Sequence, residues 1–130
     1  MIDKIAWLHL VDGRILSTRS RGKDVYYLPG GKREAGETDA QTLVREVREE
    51  LTVTIELSSI EPAGVFEAQA DGKAAGIVVR MTCFTAEYTG TLAASSEIDE
   101  LAWLGYADRD RVSAVDKLIF DHLHEAGQLS

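Results

Sequence analysis

Residues 31–53 read GKREAGETDAQTLVREVREELTV, and the centre of that stretch, Arg45-Glu46-Val47-Arg48-Glu49-Glu50, is an acid-dense run inside a predicted helix. Each helical residue advances about 100° around the axis. With Glu46 as the origin, Glu49 and Glu50 fall at about −60° and +40°, so all three carboxylates share one face. Ala40, Leu43, Val44, Val47 and Leu51 form an adjoining apolar stripe, while Arg45 and Arg48 point elsewhere. The helix is expected to bury the stripe and carry its acids along the border.

Like charges three and four residues apart on a helix repel by a few tenths of a kcal/mol per pair, and partial burial increases the repulsion. Full solvation relieves it, which is the plain reading of an acidic helix face. A hard divalent cation also relieves it. Carboxylate oxygens suit Mg2+ or Mn2+, and Mg2+ shares its remaining positions with substrate phosphates.

What precedes the helix favours the cation. Leu28-Pro29-Gly30-Gly31 is followed by five residues, Glu37, seven more residues, and Arg45-Glu46. This resembles the box of the Nudix hydrolases: Gly, five residues, Glu, seven, Arg-Glu, an aliphatic, one, Glu-Glu, one, Gly, an aliphatic. Gly31, Glu37, Arg45, Glu46, Val47, Glu49, Glu50 and Val53 match, and Thr52 stands where the box has Gly. That Gly ordinarily ends the helix at positive φ, which a β-branched residue adopts poorly, so an altered helix exit is expected.

The resemblance implies an α/β fold: a Nudix-type α/β/α sandwich with a mixed central sheet, here one domain over residues 1–130. It implies hydrolysis of a nucleoside diphosphate linked to a further group. It also implies a Mg2+ (or Mn2+) site made by the Gly31 carbonyl with Glu46, Glu49 and Glu50. Glu46 is the expected general base or metal-bridging carboxylate. Glu37 and Arg45 are expected to pair and fix the loop to the helix, with Gly30 allowing the backbone path beside Gly31. The family's extra loop acid has two candidates, Glu97 and Glu100, with plain surface acids as the alternative.

Composition narrows the setting. At 130 residues the chain is large enough for one real core. Its net charge of −8 argues against stable nucleic-acid or anionic-membrane binding without help. Cys83 is the only cysteine, so no intrachain disulfide can form and a reducing compartment is expected. Residues 1–11 do not read as a signal peptide and no apolar run reaches membrane-spanning length, which makes the cytoplasm the expected location.

Working outward, residues 4–11 and 14–18 read as strands joined at Asp12-Gly13, a type I′ hairpin signal. His9 is expected on a strand face, touching substrate or solvent. Residues 14–33 hold Arg14, Arg19, Arg21, Lys23, Lys32 and Arg33 against one acid, Asp24. They make either a solvated loop or a patch for substrate phosphates, with Arg19, Arg21 and Lys32 as candidates. Residues 25–28 read as a strand with Tyr26 in a packing role, and Thr38 with Gln41 forms a capping box.

Further strands are expected at 53–57, 62–70, 77–88 and 100–104, with a turn at 71–76. Val79, Met81 and Cys83 share the core face of the long strand. Arg80 either faces a substrate cleft or pairs with a strand acid. Trp103 is read as core, with a base-stacking platform as the alternative, and residues 113–126 as a helix opened by Ser113 and closed by Gly127.

Three functions compete. One is a MutT-like hydrolase that splits a nucleoside triphosphate, ordinary or oxidised, into monophosphate and pyrophosphate. A second acts on nucleotide sugars, dinucleoside polyphosphates or capped RNA. The third is a non-catalytic nucleotide sensor, disfavoured by the intact glutamate set. The expected partner is a small nucleotide-type molecule, and the chain is expected to be a monomer or homodimer.

Overall fold

A computed structural model describes residues 1–70 and 75–130. The strands are β1 (Ile2–Trp7), β2 (Leu10–Val11), β3 (Arg14–Ser20), β4 (Gly30–Gly31), β5 (Thr54–Ile55), β6 (Glu61–Gln69), β7 (Val78–Thr85), β8 (Tyr88–Thr89) and β9 (Ile98–Leu104). The helices are α1 (Asp39–Leu51) and α2 (Ala114–Glu125). The central sheet runs β4-β1-β7-β6, with β1 and β7 parallel and the outer pairs antiparallel, so it is mixed. An antiparallel sheet β2-β3-β9 and the pair β5-β8 complete the fold.

Period-2 alternation along β1 builds the sandwich. Ile5 and Trp7 pack with Leu43, Val47 and Leu51 of α1, whereas Ala6 and Leu8 pack with Val115, Ile119, Phe120 and Leu123 of α2. The three α1 residues are 0% exposed, each worth about 1.5–3 kcal/mol of transfer free energy. One helix thus covers each side of the mixed sheet. The Trp7 indole donates to the Ala86 carbonyl at 3.2 Å, tying β1 to the chain beyond β7.

The Asp12-Gly13 hairpin forms with positive φ at both residues, 52° and 77°. The strand expected at 4–11 is nevertheless two strands, because β1 stays in the central sheet and β2 joins β3. His9 lies at the break, stacked on Trp7 with ring centroids 4.5 Å apart, and does not line the cavity described below. The strand expected at 25–28 is reduced to single bridges, Tyr26 to Val112 and Tyr27 to Thr18. That at 53–57 shrinks to β5 and a 3-10 turn at Leu57–Ser59.

The long strand read at 77–88 ends at Thr85, with β8 separate. The turn at 71–76 falls partly on residues 71–74, outside the described residues. Trp103 is 40% exposed and not core: alternation along β9 sets Leu104 inward and Trp103 outward at its end.

The entrance and exit of α1 position the site. Thr38 caps the N-terminus, its hydroxyl accepting from Gln41 N–H while the Gln41 side chain accepts from Thr38 N–H. The altered exit expected at Thr52 does not occur. Thr52 takes the left-handed conformation that Gly would, φ 63° and ψ 18°, and its N–H donates to the Arg48 carbonyl. Its hydroxyl donates to the Thr91 carbonyl at 3.1 Å, which offsets part of the backbone strain.

Candidate active site

A cavity of about 520 Å3 lies where β1, the end of β3, β4 and the acidic border of α1 meet. Its lining includes the acids Glu46, Glu50 and Glu97, the lysines Lys4, Lys23 and Lys32, and the apolar Ile2, Val79, Met81 and Val115.

The glycine turn is built against the acids. Gly30 has φ 144°, and a Cβ there would lie 1.9 Å from the Ile5 carbonyl oxygen, so no other residue fits without displacing β1. Its N–H donates to Glu50 Oε1 at 3.0 Å. A Cβ on Gly31 would sit 2.5 Å from Glu46 Cδ, which places bare Gly31 backbone directly against that carboxylate.

Glu50 is 7% exposed. Burial pushes its carboxyl up to about 8, partly countered by the Gly30 N–H and reinforced by Glu46, Glu97 and Glu49. Burial likewise raises Glu46, with Arg45 opposing and Glu49 and Glu97 adding to the rise. These acids are held together against their own repulsion.

Behind them lies a saturated ion cluster. Arg45 donates from Nε to Glu37 Oε2 at 2.6 Å, from Nη2 to Glu37 Oε1 at 2.9 Å and to the Lys32 carbonyl at 3.0 Å, and from Nη1 to Glu46 Oε1 at 2.8 Å. Glu37 Oε1 also accepts from Glu34 N–H at 2.8 Å and from the hydroxyl of fully buried Thr42 at 3.0 Å. Hydrogen bonding to Arg45, foremost, lowers the Glu37 carboxyl to about 2.

The sequence candidates divide. Gly30, Gly31, Lys32, Glu46, Glu50 and Glu97 line the cavity, and Glu37 and Arg45 support it. Glu49 does not join them: its side chain is 54% exposed and 3.6 Å from Arg45 Nη1, because its position on the helix border lies on the solvent side of Glu46. Arg19 and Glu100 face away from the cavity as a cross-strand pair, since alternation along β3 sends Thr18 and Ser20 inward and Arg19 outward. Arg19 binds Asp99 at 3.0 Å and Glu100 at 3.2 Å, and Glu100 also accepts from the Tyr26 hydroxyl.

Arg21 donates to the Ser96 carbonyl at 2.7 Å, and Arg80 to Glu67 at 2.9 Å. The basic stretch therefore serves the fold more than the cavity. Lys23, a member of the basic patch, does line the cavity, and Lys4 was missed as a cavity residue. Lys4 stands 5.6 Å from the Tyr27 ring centroid, and the only signal for it was its alternation with Ile5 on β1.

A divalent cation fits this donor set. The oxygens are hard, they are carried by acids whose ionisation burial and mutual repulsion oppose, and the Gly31 backbone is bare beside Glu46. Among the described residues, no three acidic, histidine or cysteine side chains already converge as a cation cage. No helix among the described residues is long and apolar enough to cross a membrane.

A model of the NUDIX domain family matches residues 5–123. No curated protein matches the sequence. Among solved structures, the E. coli ORF135 protein is 26% identical with a TM-score of 0.73, covering 97% of this chain and 92% of its own. A MutT protein from Bacillus halodurans is 25% identical with a TM-score of 0.74, covering 99% and 86%. A bifunctional NMN adenylyltransferase/ADP ribose pyrophosphatase from Francisella tularensis, complexed with AMP and a Mn ion, shares the fold at 20% identity and a TM-score of 0.68, covering 95% of this chain and 41% of its own.

Proposed function

The chain belongs to the NUDIX domain family of pyrophosphohydrolases, and from that premise we propose that it hydrolyses a nucleoside triphosphate to the monophosphate and pyrophosphate in the MutT manner. The observation that carries the reading is buried Glu50 beside half-buried Glu46, set against a glycine turn in a cavity that also presents lysines. Likeness to the Bacillus halodurans MutT protein over 99% of this chain supports the choice of substrate class.

Glu46 and Glu50, with the Gly31 backbone and Glu97, would hold Mg2+ or Mn2+, and Glu49 stands at the rim as a further oxygen donor. Bound there, the ion supplies charge neutralisation on the phosphate oxygens and acidifies water. The chain's own residues do the rest. Lys4, Lys23 and Lys32 attract the polyphosphate, and the apolar lining of Ile2, Val79 and Met81 takes the base and excludes water. Arg45 holds Glu46 by Oε1, leaving Oε2 to serve either as a cation ligand or as the acceptor of the attacking water's proton. Glu37 fixes Arg45 and takes no proton, because its carboxyl stays ionised.

The test is a product analysis with Mg2+ over nucleoside triphosphates, nucleotide sugars, dinucleoside polyphosphates and capped RNA. Release of monophosphate and pyrophosphate from a triphosphate is the expected result. Turnover confined to another class would move the assignment within the family. Tight nucleotide binding with no hydrolysis of anything would replace it with a sensor.

A further inference from the structure

The one residue that departs from the family's box has a task of its own. Residues 91–98 carry Glu97 from the end of β8 to β9, past the C-terminal end of α1. Five hydrogen bonds hold this stretch. The Thr52 hydroxyl donates to the Thr91 carbonyl at 3.1 Å. Ala93 N–H donates to the Leu51 carbonyl at 3.1 Å and Ser95 N–H to the Glu50 carbonyl at 3.0 Å, using the carbonyls a helix end leaves without intrahelical partners. At the far end Arg21 grips two successive carbonyls, Ser96 through Nη2 at 2.7 Å and Glu97 through its backbone N–H at 2.8 Å.

Both side-chain tethers meet backbone held against its preference. Thr52 sits at φ 63° and Ser96 at φ 58°, left-handed values rare for residues with a Cβ. Such outliers persist where the surroundings over-determine them. Here the surroundings are these hydrogen bonds, and their shared result is Glu97 facing Glu46 and Glu50.

We propose that Thr52 and Arg21 are positioning residues that clasp the 91–98 segment at its two ends and hold Glu97 in the cavity. The proposal rests on the reading of Glu97 as part of the active site. Thr52 in place of glycine exchanges a relaxed helix exit for a hydroxyl tether. Arg21 acts by geometry and not by contact with substrate.

A glycine at 52 restores the relaxed backbone and deletes the tether, so it separates stability from activity. For Thr52→Gly we expect a Tm no lower than wild type and a kcat lowered roughly five-fold at nearly constant KM. Amide exchange at Ala93, Ser95 and Ile98 should be faster. Thr52→Ser, which keeps the hydroxyl, should behave as wild type, and Arg21→Leu should repeat the loss of kcat with faster exchange at Ile98.

Unchanged exchange and kcat in both Thr52→Gly and Arg21→Leu would overturn the clasp, and so would a Tm and kcat that fall together. Glu97→Gln, measured alongside, tests the premise separately. Wild-type turnover in that variant would remove Glu97 from the active site whatever the exchange data show.

Discussion

Two groups of acids gather against α1, one around Arg45 with Glu37 of the preceding loop and the other around Glu50, and they are treated in opposite ways. Around Arg45, Glu37 accepts hydrogen bonds from four donors, its charge fully answered by a guanidinium at 2.6 Å. One turn further, Glu50 is 7% exposed with one backbone N–H on Oε1 and with Glu46, Glu97 and Glu49 all opposing its charge. The first group is satisfied and can only hold things in place. The second is frustrated, and frustration of that kind marks where an external charge belongs. The same contrast appears across β3, where Arg19 with Asp99 and Glu100 forms a satisfied cluster on the side away from the cavity.

The contrast breaks most sharply at Glu50. Glu50→Gln should lower kcat by 100-fold or more, on the order of losing one oxygen of the proposed cation site, and still stabilise the cation-free fold. The sign follows from the raised carboxyl. The folded state holds its proton up to about pH 8 while the ordinary carboxyl releases it near 4.5. Glu50's contribution is therefore fully present below about 4.5 and is lost as pH rises through about 8, on the order of a few kcal/mol. In EDTA, wild-type Tm should fall between pH 5 and 9 while that of Glu50→Gln stays flatter. Parallel curves would remove the frustration from the account.

A smaller effect is expected in the satisfied cluster. Arg45→Lys keeps the charge but cannot bridge both Glu37 oxygens, and should reduce kcat about 10- to 100-fold with KM little changed. Thr42→Val, which removes only the buried hydroxyl on Glu37, should cost about 1 kcal/mol of stability in chemical denaturation. Equal kinetics for Arg45→Lys and wild type would show that the cluster does not reach the chemistry.

The smallest effect lies outside the cavity. Arg80→Gln breaks a pair with Glu67 in which both side chains are more than 40% exposed. It should change kcat/KM by less than about two-fold and Tm by about a degree, as exposed ion pairs contribute little. A large kinetic loss would return Arg80 to the substrate site.

How much of this the sequence carried depends on distance along the chain. The helix, its cap, the Glu46–Glu50 face and the Glu37–Arg45 pair lie within fifteen residues of one another, where spacing alone determines geometry. The mixed sheet followed from the order of elements and from the family resemblance. The basic run at 14–33 divided, with Lys23 and Lys32 on the cavity and Arg19 off it, because charge density does not say which face of a strand each residue occupies; Arg19 and Thr18 are adjacent in sequence and opposite in space.

Glu97 was one of two candidates, separable from Glu100 only by the β3–β9 register that pairs Glu100 with Arg19. Glu49 satisfies the spacing yet faces solvent, since a helix border has an inner and an outer edge. Thr52 defied a sound propensity rule because a hydroxyl contact 39 residues away offsets part of its strain.

The most direct test is Mn2+ titration followed by electron paramagnetic resonance, at pH 7.5 and without nucleotide, on wild type, Glu50→Gln and Arg80→Gln. Wild type and Arg80→Gln should remove Mn2+ from solution with similar affinity, and Glu50→Gln should bind at least about ten-fold more weakly. Equal binding by all three would contradict the claim that the cavity's unanswered acids are a cation site.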